Sequence, residues 1–305
     1  EAQDLSPIQW DIAHIIDEKS DRMYCAGDDD QAIYRWAGAD VEHFINLEGG
    51  SETLYQSYRV PFEIHKLAER VVYRIKKRFL KEYKPKADVR GSIRRIFGVE
   101  EIDMSEGSWL ILAQAGYQLN PVAGELRSSG YLFNNRGHRS ISENISDAVN
   151  GWEQLRKGKE VNGAVARKIY SFMSTKDRVA RGFKKLTSVE DTDLLDLKAL
   201  TADHGLLATE DMVWHVAMDR MPESERAYII AMLRRGERFN GEPRITVSTI
   251  HGAKGGEADN VVLFTDLSPA SEEQMTINPD DMHRVFYVGV TRAKENLFIV
   301  EPEDF

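Results

Sequence analysis

Ala26-Gly27-Asp28-Asp29-Asp30-Gln31-Ala32-Ile33-Tyr34-Arg35-Trp36 is the stretch that decides how this chain is read. The apolar run Met23-Tyr24-Cys25-Ala26 leads into it and predicts a buried strand. Three carboxylates follow the glycine, then a glutamine, then two aromatics in polar surroundings. Glycine-aspartate turns are common in any fold. A turn that delivers a Gln and exposed aromatics from a strand end is not. Carboxylates at a strand end can organise a cation, a Gln there can sense a phosphate, and a Trp just beyond can stack on a base.

The two ends of the chain carry further patterned segments. It opens Glu1-Ala2-Gln3-Asp4-Leu5-Ser6-Pro7, and Leu54-Tyr55-Gln56-Ser57-Tyr58-Arg59 follows the first stretch. Val247-Ser248-Thr249-Ile250-His251-Gly252-Ala253-Lys254-Gly255-Gly256-Glu257 and Phe286-Tyr287-Val288-Gly289-Val290-Thr291-Arg292-Ala293-Lys294 lie near the other end. In this order the segments resemble motifs II (without its leading Asp), III, IV, V and VI of the UvrD/Rep/PcrA family of superfamily 1 DNA helicases. Any one alone would be weak, whereas five in sequence are specific. The chain departs from the family pattern at Ser57, where Asn is commoner. Gly256 stands where a large apolar residue is usual, Gln114 where Arg is commoner, and some relatives have Arg at the position of Ala37.

Composition sets wider bounds. A chain of 305 residues, 42% hydrophobic and 30% charged, is long enough for two or more soluble domains. No apolar run reaches transmembrane length, and no signal peptide is visible. The single cysteine, Cys25, excludes an internal disulfide, suits a cytoplasmic setting and reads as buried filler in its apolar run. A net charge of −10 excludes a generally basic nucleic-acid binder but not a local basic groove.

The expected fold is α/β: a RecA-like parallel sheet domain with an inserted all-helical subdomain, plus the tail of a first RecA-like domain. Ser6-Pro7 opens an amphipathic helix with Ile8, Ile12, Ile15 and Ile16 on one face. Glu52–Gln56 reads as a short strand, and Pro61 starts a helix to about Phe79. The basic run Arg74, Lys76, Lys77, Arg78, Lys81, Lys84, Lys86 reads as a solvated helix face or, less often, a DNA-backbone contact. Ser92–Phe97 and Trp109–Ala113 are strands, and Asn120-Pro121 opens a helix to Gly130. From Ser140, where Ser140-x-x-Glu143 reads as a capping box, the pattern turns helical. Helices are expected near 143–157, 163–173, 175–186, 192–201, 211–220 and 223–236. Strand character returns at Ile245–Ile250, Val261–Thr265 and Leu297–Val300. The resemblance divides the chain into a first motor-domain tail (1–50), the second motor domain in two parts (51–139 and 243–305), and the helical insertion (140–242).

The resemblance assigns roles residue by residue. Glu1 corresponds to the Glu that handles the attacking water, and Gln31 to a γ-phosphate sensor. Arg59 and Arg292 correspond to the pair that closes on the γ-phosphate, where arginine's rigid fork suits the equatorial oxygens. Tyr58 would flank the adenine or ribose, and Gly255 with Glu257 would meet the ribose. Tyr34, Trp36, Tyr117, Thr249 and His251 would face DNA, with Gln118 beside Tyr117. Plain alternatives stand beside each: a turn glutamine, surface ion pairs for the arginines, core aromatics for Trp36 and Tyr58, a hydrogen-bonded interfacial His251. The implied activity is ATP- and Mg²⁺-dependent translocation on single-stranded or partially duplex DNA, 3′→5′, with no membrane partner. No G-x-x-x-x-G-K-[ST] loop occurs, and neither does the motif II Asp, so no metal ligand is assigned. The expectation is therefore a C-terminal piece of the helicase, inactive alone as an ATPase. A non-catalytic DNA-binding or regulatory relative is the rival expectation.

Overall fold

The computed structural model describes residues 1–301. Its first elements are α1 (Pro7–Asp17), α2 (Val41–Ile45), α3 (Phe62–Val72), β1 (Ser92–Ile96), β2 (Trp109–Ala113) and α4 (Leu119–Ser128). Then come β3 (Phe133–Asn135), β4 (His138–Arg139), α5 (Glu143–Arg156), β5 (Val161–Asn162), α6 (Gly163–Ser171), β6 (Leu194–Leu195), α7 (Leu197–Asp203), α8 (Trp214–Ala217) and α9 (Glu223–Arg235). The chain ends with β7 (Ile245–Thr249), β8 (Ala258–Phe264), α10 (Pro269–Ile277), α11 (Pro279–Val290) and β9 (Ala293–Val300). They form two compact units. One comprises Glu1–Glu125, Asn134–His138 and the chain from Arg244 onward; the other comprises Leu126–Phe133 and Arg139–Pro243.

The first unit is built on a sheet of order β1-β9-β8-β2-β7-β3-β4, whose first five strands are parallel. All five residues of β2 are buried, the continuous apolar run expected of a central parallel strand covered on both faces. β2 pairs with β7 in parallel, Ile111 opposite Val247, although residues 114–244 separate them in sequence. Ile64, Ala68 and Val72 of α3 and Val285 and Val288 of α11 pack into one core with Leu110, Leu112, Val261, Leu263 and Leu297 of the sheet. Ile33 joins the same core, so the Asp-rich turn is anchored from its far side.

The second unit is mostly helical. Trp152 is fully buried, its indole N–H donating to the Met212 carbonyl at 2.8 Å. Tyr228 donates to the Tyr131 carbonyl at 2.6 Å. Gly130 takes φ +74°, and a Cβ there would lie 2.4 Å from the Ala231 backbone, so only glycine fits. The expectation of helices alone is corrected: β5 and β6 form an antiparallel pair, and 175–186 is a run of turns. The helix at 143 is capped by Ser142, not Ser140, whose hydroxyl instead meets the Phe133 amide at 3.1 Å and the Tyr228 hydroxyl at 2.6 Å.

Several local expectations also change. Met23–Ala26 forms no strand and Cys25 is exposed, because the segment finds no ladder partner among the described residues. In the 52–56 segment only Gln56 forms a bridge, to Lys84. α3 stops at Val72, well short of Phe79. α1 forms, but it buries Trp10 against the rings of His43 and Phe44, while Ile8, Ile12, Ile15 and Ile16 face outward. No helix among the described residues is long and apolar enough to cross a membrane.

Candidate functional site

The Asp-rich turn is a buried ionic lock. Asp28 caps a short 3₁₀ turn, its carboxylate accepting from the Asp30 amide at 3.2 Å. Arg78 grips Asp30 with both prongs of its guanidinium, Nε to Oδ1 at 2.7 Å and Nη2 to Oδ2 at 2.6 Å. Lys81 Nζ bonds Asp29 and lies 3.2 Å from Asp28 and 3.0 Å from Asp30. The Phe79 amide donates to Asp29 at 2.8 Å, and Arg284 Nε donates to the Asp29 carbonyl at 2.8 Å. The side chains of Arg78 and Lys81 are only 4% and 6% exposed, which corrects the reading of a solvated helix face at these two residues, while Arg74, Lys76, Lys77 and Lys84 of the same run are exposed. Burial by itself would lower the Lys81 pKa, but the three carboxylates outweigh it and hold it raised. The three carboxylates are spaced to hold a cation, and the Lys81 ammonium already stands in that place. Removing one partner from so buried a group strands a charge, at a cost of about 3–5 kcal/mol.

From this lock Gln31 reaches toward α11. Its Nε2 donates to Asp28 Oδ2 at 2.5 Å, and its Oε1 accepts from Arg292 Nη2 at 2.9 Å. Arg292 is 2% exposed and is further held by the carbonyls of Val288 (Nε, 3.0 Å) and Gly256 (Nη1, 3.3 Å). Burial, joined by the charge of Arg59, pushes its pKa down to about 10. The two arginines anticipated as a pair are therefore close enough to feel one another. Arg59 lies 3.7 Å from Glu257, itself 3.8 Å from Lys294, and the Arg59 Nε is buried without a hydrogen-bond partner among the described residues. Arg59, Gln31, Asp28, Tyr287 and Thr291 are among the residues lining a cavity of about 160 Å³. Tyr58 stands exposed beside it. Gly255, at φ +84°, turns the chain so that the Gly256 carbonyl meets Arg292. That contact uses backbone alone, so a glycine at 256 serves it.

A second cluster centres on Lys254, a residue of the 247–257 segment to which the sequence alone assigns no role. Its ammonium bonds Asp4, lies 3.3 Å from Glu1, donates to the Gln31 carbonyl at 3.0 Å and sits 5.1 Å from the centre of the Tyr34 ring. Burial would raise the Glu1 carboxyl, but the hydrogen bond from Gln3 and the Lys254 charge hold it low. Tyr34 donates to the His251 carbonyl at 3.0 Å, and the rings of Tyr34, Trp36 and His251 lie 6.0–6.3 Å apart. Burial, reinforced by Lys254 and opposed by a backbone bond at Ile33, holds the His251 imidazole below its ordinary pKa. Trp36 is 75% exposed, far from the core position that was its plain alternative. Tyr117 is exposed on the turn after β2, where Gln118 donates to the Asp266 carbonyl at 3.0 Å. Thr249 accepts from the Gly252 amide at 3.1 Å, shaping the turn after β7 rather than pointing free.

Two family models match parts of the chain. Residues 1–50 match the UvrD/REP helicase N-terminal domain and residues 217–303 the UvrD-like helicase C-terminal domain. A probable DNA helicase II homolog of Rickettsia conorii is 24% identical over 395 aligned positions, covering 99% of this chain and 60% of the relative. The DNA helicase II of Rickettsia typhi is 24% identical, covering 99% of this chain and 59% of the relative. A putative ATP-dependent DNA helicase, YjcD, of Bacillus subtilis is 31% identical over 86 residues, 27% of this chain and 11% of that protein. The chain thus spans about 60% of the length of the Rickettsia relatives it matches.

Proposed function

We propose that this chain, which matches the UvrD/REP helicase N-terminal and UvrD-like helicase C-terminal domain models in part, works in an ATP-dependent motor that travels 3′→5′ on single-stranded DNA. In this reading 51–139 and 243–305 form the second motor domain, 140–242 its helical insertion and 1–50 the tail of the first. The observation that carries the proposal is the Arg59–Gln31–Arg292 constellation. Two guanidiniums and an amide converge there, one guanidinium is depressed by burial and by its twin, and the other keeps a buried N–H without a partner. Like charges held together in a part-buried site favour a polyanion, and a nucleotide's terminal phosphate is the polyanion this family handles.

In the proposed mechanism Arg59 and Arg292 meet the equatorial phosphate oxygens as charge redistributes during transfer, while Gln31 reads whether the phosphate is present. Tyr58 and Glu257 border the base and ribose. Mg²⁺, which arrives with ATP in such reactions, is not assigned to the Asp28–Asp30 triplet, since Lys81 fills it. Lys254 then links the two ends of the machine. It touches Glu1, Asp4 and the Gln31 backbone on the nucleotide side and Tyr34, whose ring neighbours the exposed Trp36, on the side proposed to face DNA.

The test is single-strand-stimulated ATP hydrolysis by the intact protein. Arg59→Ala and Arg292→Ala should each lower kcat by roughly 10³-fold or more while leaving oligonucleotide affinity nearly unchanged. Wild-type kcat in both variants would end the proposal.

A further inference from the structure

Lys81 and Arg78 lie on the irregular chain beyond α3 and have no role in the chemistry above. Their charges go to the aspartates of the Asp-rich turn, at 2.6–3.2 Å. The path from Lys81 does not stop there. Asp28, 3.2 Å from the Lys81 ammonium, accepts from Gln31 Nε2, and Gln31 Oε1 accepts from Arg292. A glutamine amide has one donor end and one acceptor end, and the two are nearly alike in shape. Here one neighbour only accepts and the other only donates, so a single orientation satisfies both. The torsion that turns the amide is soft. Nothing in the glutamine itself would hold that orientation if Asp28 were free to swing or to offer a donor.

We propose that Lys81, acting through Asp28, is a positioning residue: it pins the Asp28 carboxylate so that the Gln31 amide presents its carbonyl to Arg292. Arg78 does the same for the backbone of the turn by clamping Asp30. This rests on the reading that Gln31 and Arg292 meet the nucleotide phosphate. Its consequence is that the state of the arginine pair depends on a lysine well outside the resembled motifs.

Asp28→Asn is the decisive variant. It keeps the side-chain shape at a partly exposed site, leaves Lys81 its bonds to Asp29 and Asp30, and lets residue 28 offer either a donor or an acceptor. In the intact protein it should lower kcat for DNA-stimulated ATP hydrolysis about tenfold, the worth of one charge-assisted hydrogen bond, with KM within about threefold. In a Gln31→Ala background the same substitution should cost nothing more, because Asp28 acts through Gln31. A second readout needs no nucleotide: the side-chain amide resonances of Gln31 in ¹⁵N-labelled protein should shift in Asp28→Asn and in Lys81→Gln. Full additivity of Asp28→Asn with Gln31→Ala, a wild-type kcat for Asp28→Asn, or unmoved Gln31 resonances in both variants would overturn the positioning role. A Gln31→Ala variant with normal kcat would instead overturn the nucleotide reading, and the positioning role with it.

Discussion

Gln31 and Arg292 are 261 positions apart in sequence, yet the amide carbonyl of one and the guanidinium of the other share a 2.9 Å hydrogen bond. Arg292 makes this bond while also holding the carbonyls of Val288 and Gly256. The three bonds use three different nitrogens, Nε, Nη1 and Nη2, of one planar fork, a spread that the single nitrogen of a lysine ammonium does not reproduce. Arg292→Lys should therefore behave nearly like Arg292→Ala in kcat for ATP, within about tenfold of it, despite keeping the charge. Steady-state kinetics on the three proteins check this; a lysine variant close to wild type would show that charge alone suffices.

Cys25 offers a test of a different kind. It is the chain's single cysteine, and the structure leaves it exposed on extended chain rather than buried in a strand. Native protein should release one equivalent of chromophore with a thiol reagent as fast as denatured protein does. Protection in the native state, lost on denaturation, would restore the buried-strand reading.

How far the sequence revealed the molecule follows from which interactions are local. β2 was legible because Trp109–Ala113 is an unbroken apolar run, and all of it is buried. The same logic failed at Met23–Ala26, since an apolar run predicts burial but does not supply a neighbouring strand. α1 was legible as a helix from Ser6-Pro7, but not in its facing, because the periodic isoleucines lost the inward face to Trp10. Gln31, Arg59 and Arg292 came from motif order; Gln31 and Arg59 line one cavity, and Arg292 is hydrogen-bonded to Gln31. Lys81 and Lys254 were missed for one reason. Their partners lie 52 and 250 residues away, and no local pattern marks a lysine that will meet three aspartates or bridge two motifs. The density of basic residues at 74–86 was a signal, but it pointed to solvent.

His251 gives a dependence on pH. Burial, with Lys254 nearby, holds its folded-state pKa below the ordinary 6.5. The unfolded chain therefore binds the proton more readily than the folded one. The stability that goes with the neutral imidazole is fully present above the unfolded value and is lost as pH falls below it. His283 is shifted in the same direction, by burial and then by Arg74, so it adds to the effect. The Tm should fall between about pH 7.5 and about pH 5.5, and His251→Gln should flatten part of that slope. A slope identical in the variant would assign the dependence elsewhere.

Trp36 carries the last prediction. It is 75% exposed, with its ring edge-on to His251 at 6.0 Å and 6.3 Å from Tyr34, so one aromatic face is open while the side chain is braced from behind. An open ring on a braced base is suited to stacking on a nucleobase, which contributes roughly 1–3 kcal/mol per base and is indifferent to base identity. Of the chain's five tryptophans, Trp10, Trp109, Trp152 and Trp214 are all buried, at 1%, 5%, 0% and 6% exposure. Quenching of tryptophan fluorescence by a single-stranded oligonucleotide should therefore come from Trp36. It should vanish in Trp36→Ala, with affinity falling by about 1–3 kcal/mol whether the strand is dT or dA. Because the Tyr34–Trp36–His251 cluster adjoins Lys254, and Lys254 reaches the Gln31 carbonyl, the same variant should lose unwinding per ATP hydrolysed more than it loses ATP binding. Quenching that survives Trp36→Ala, or unwinding that stays tightly coupled, would remove Trp36 from the DNA path and leave its exposure without a function.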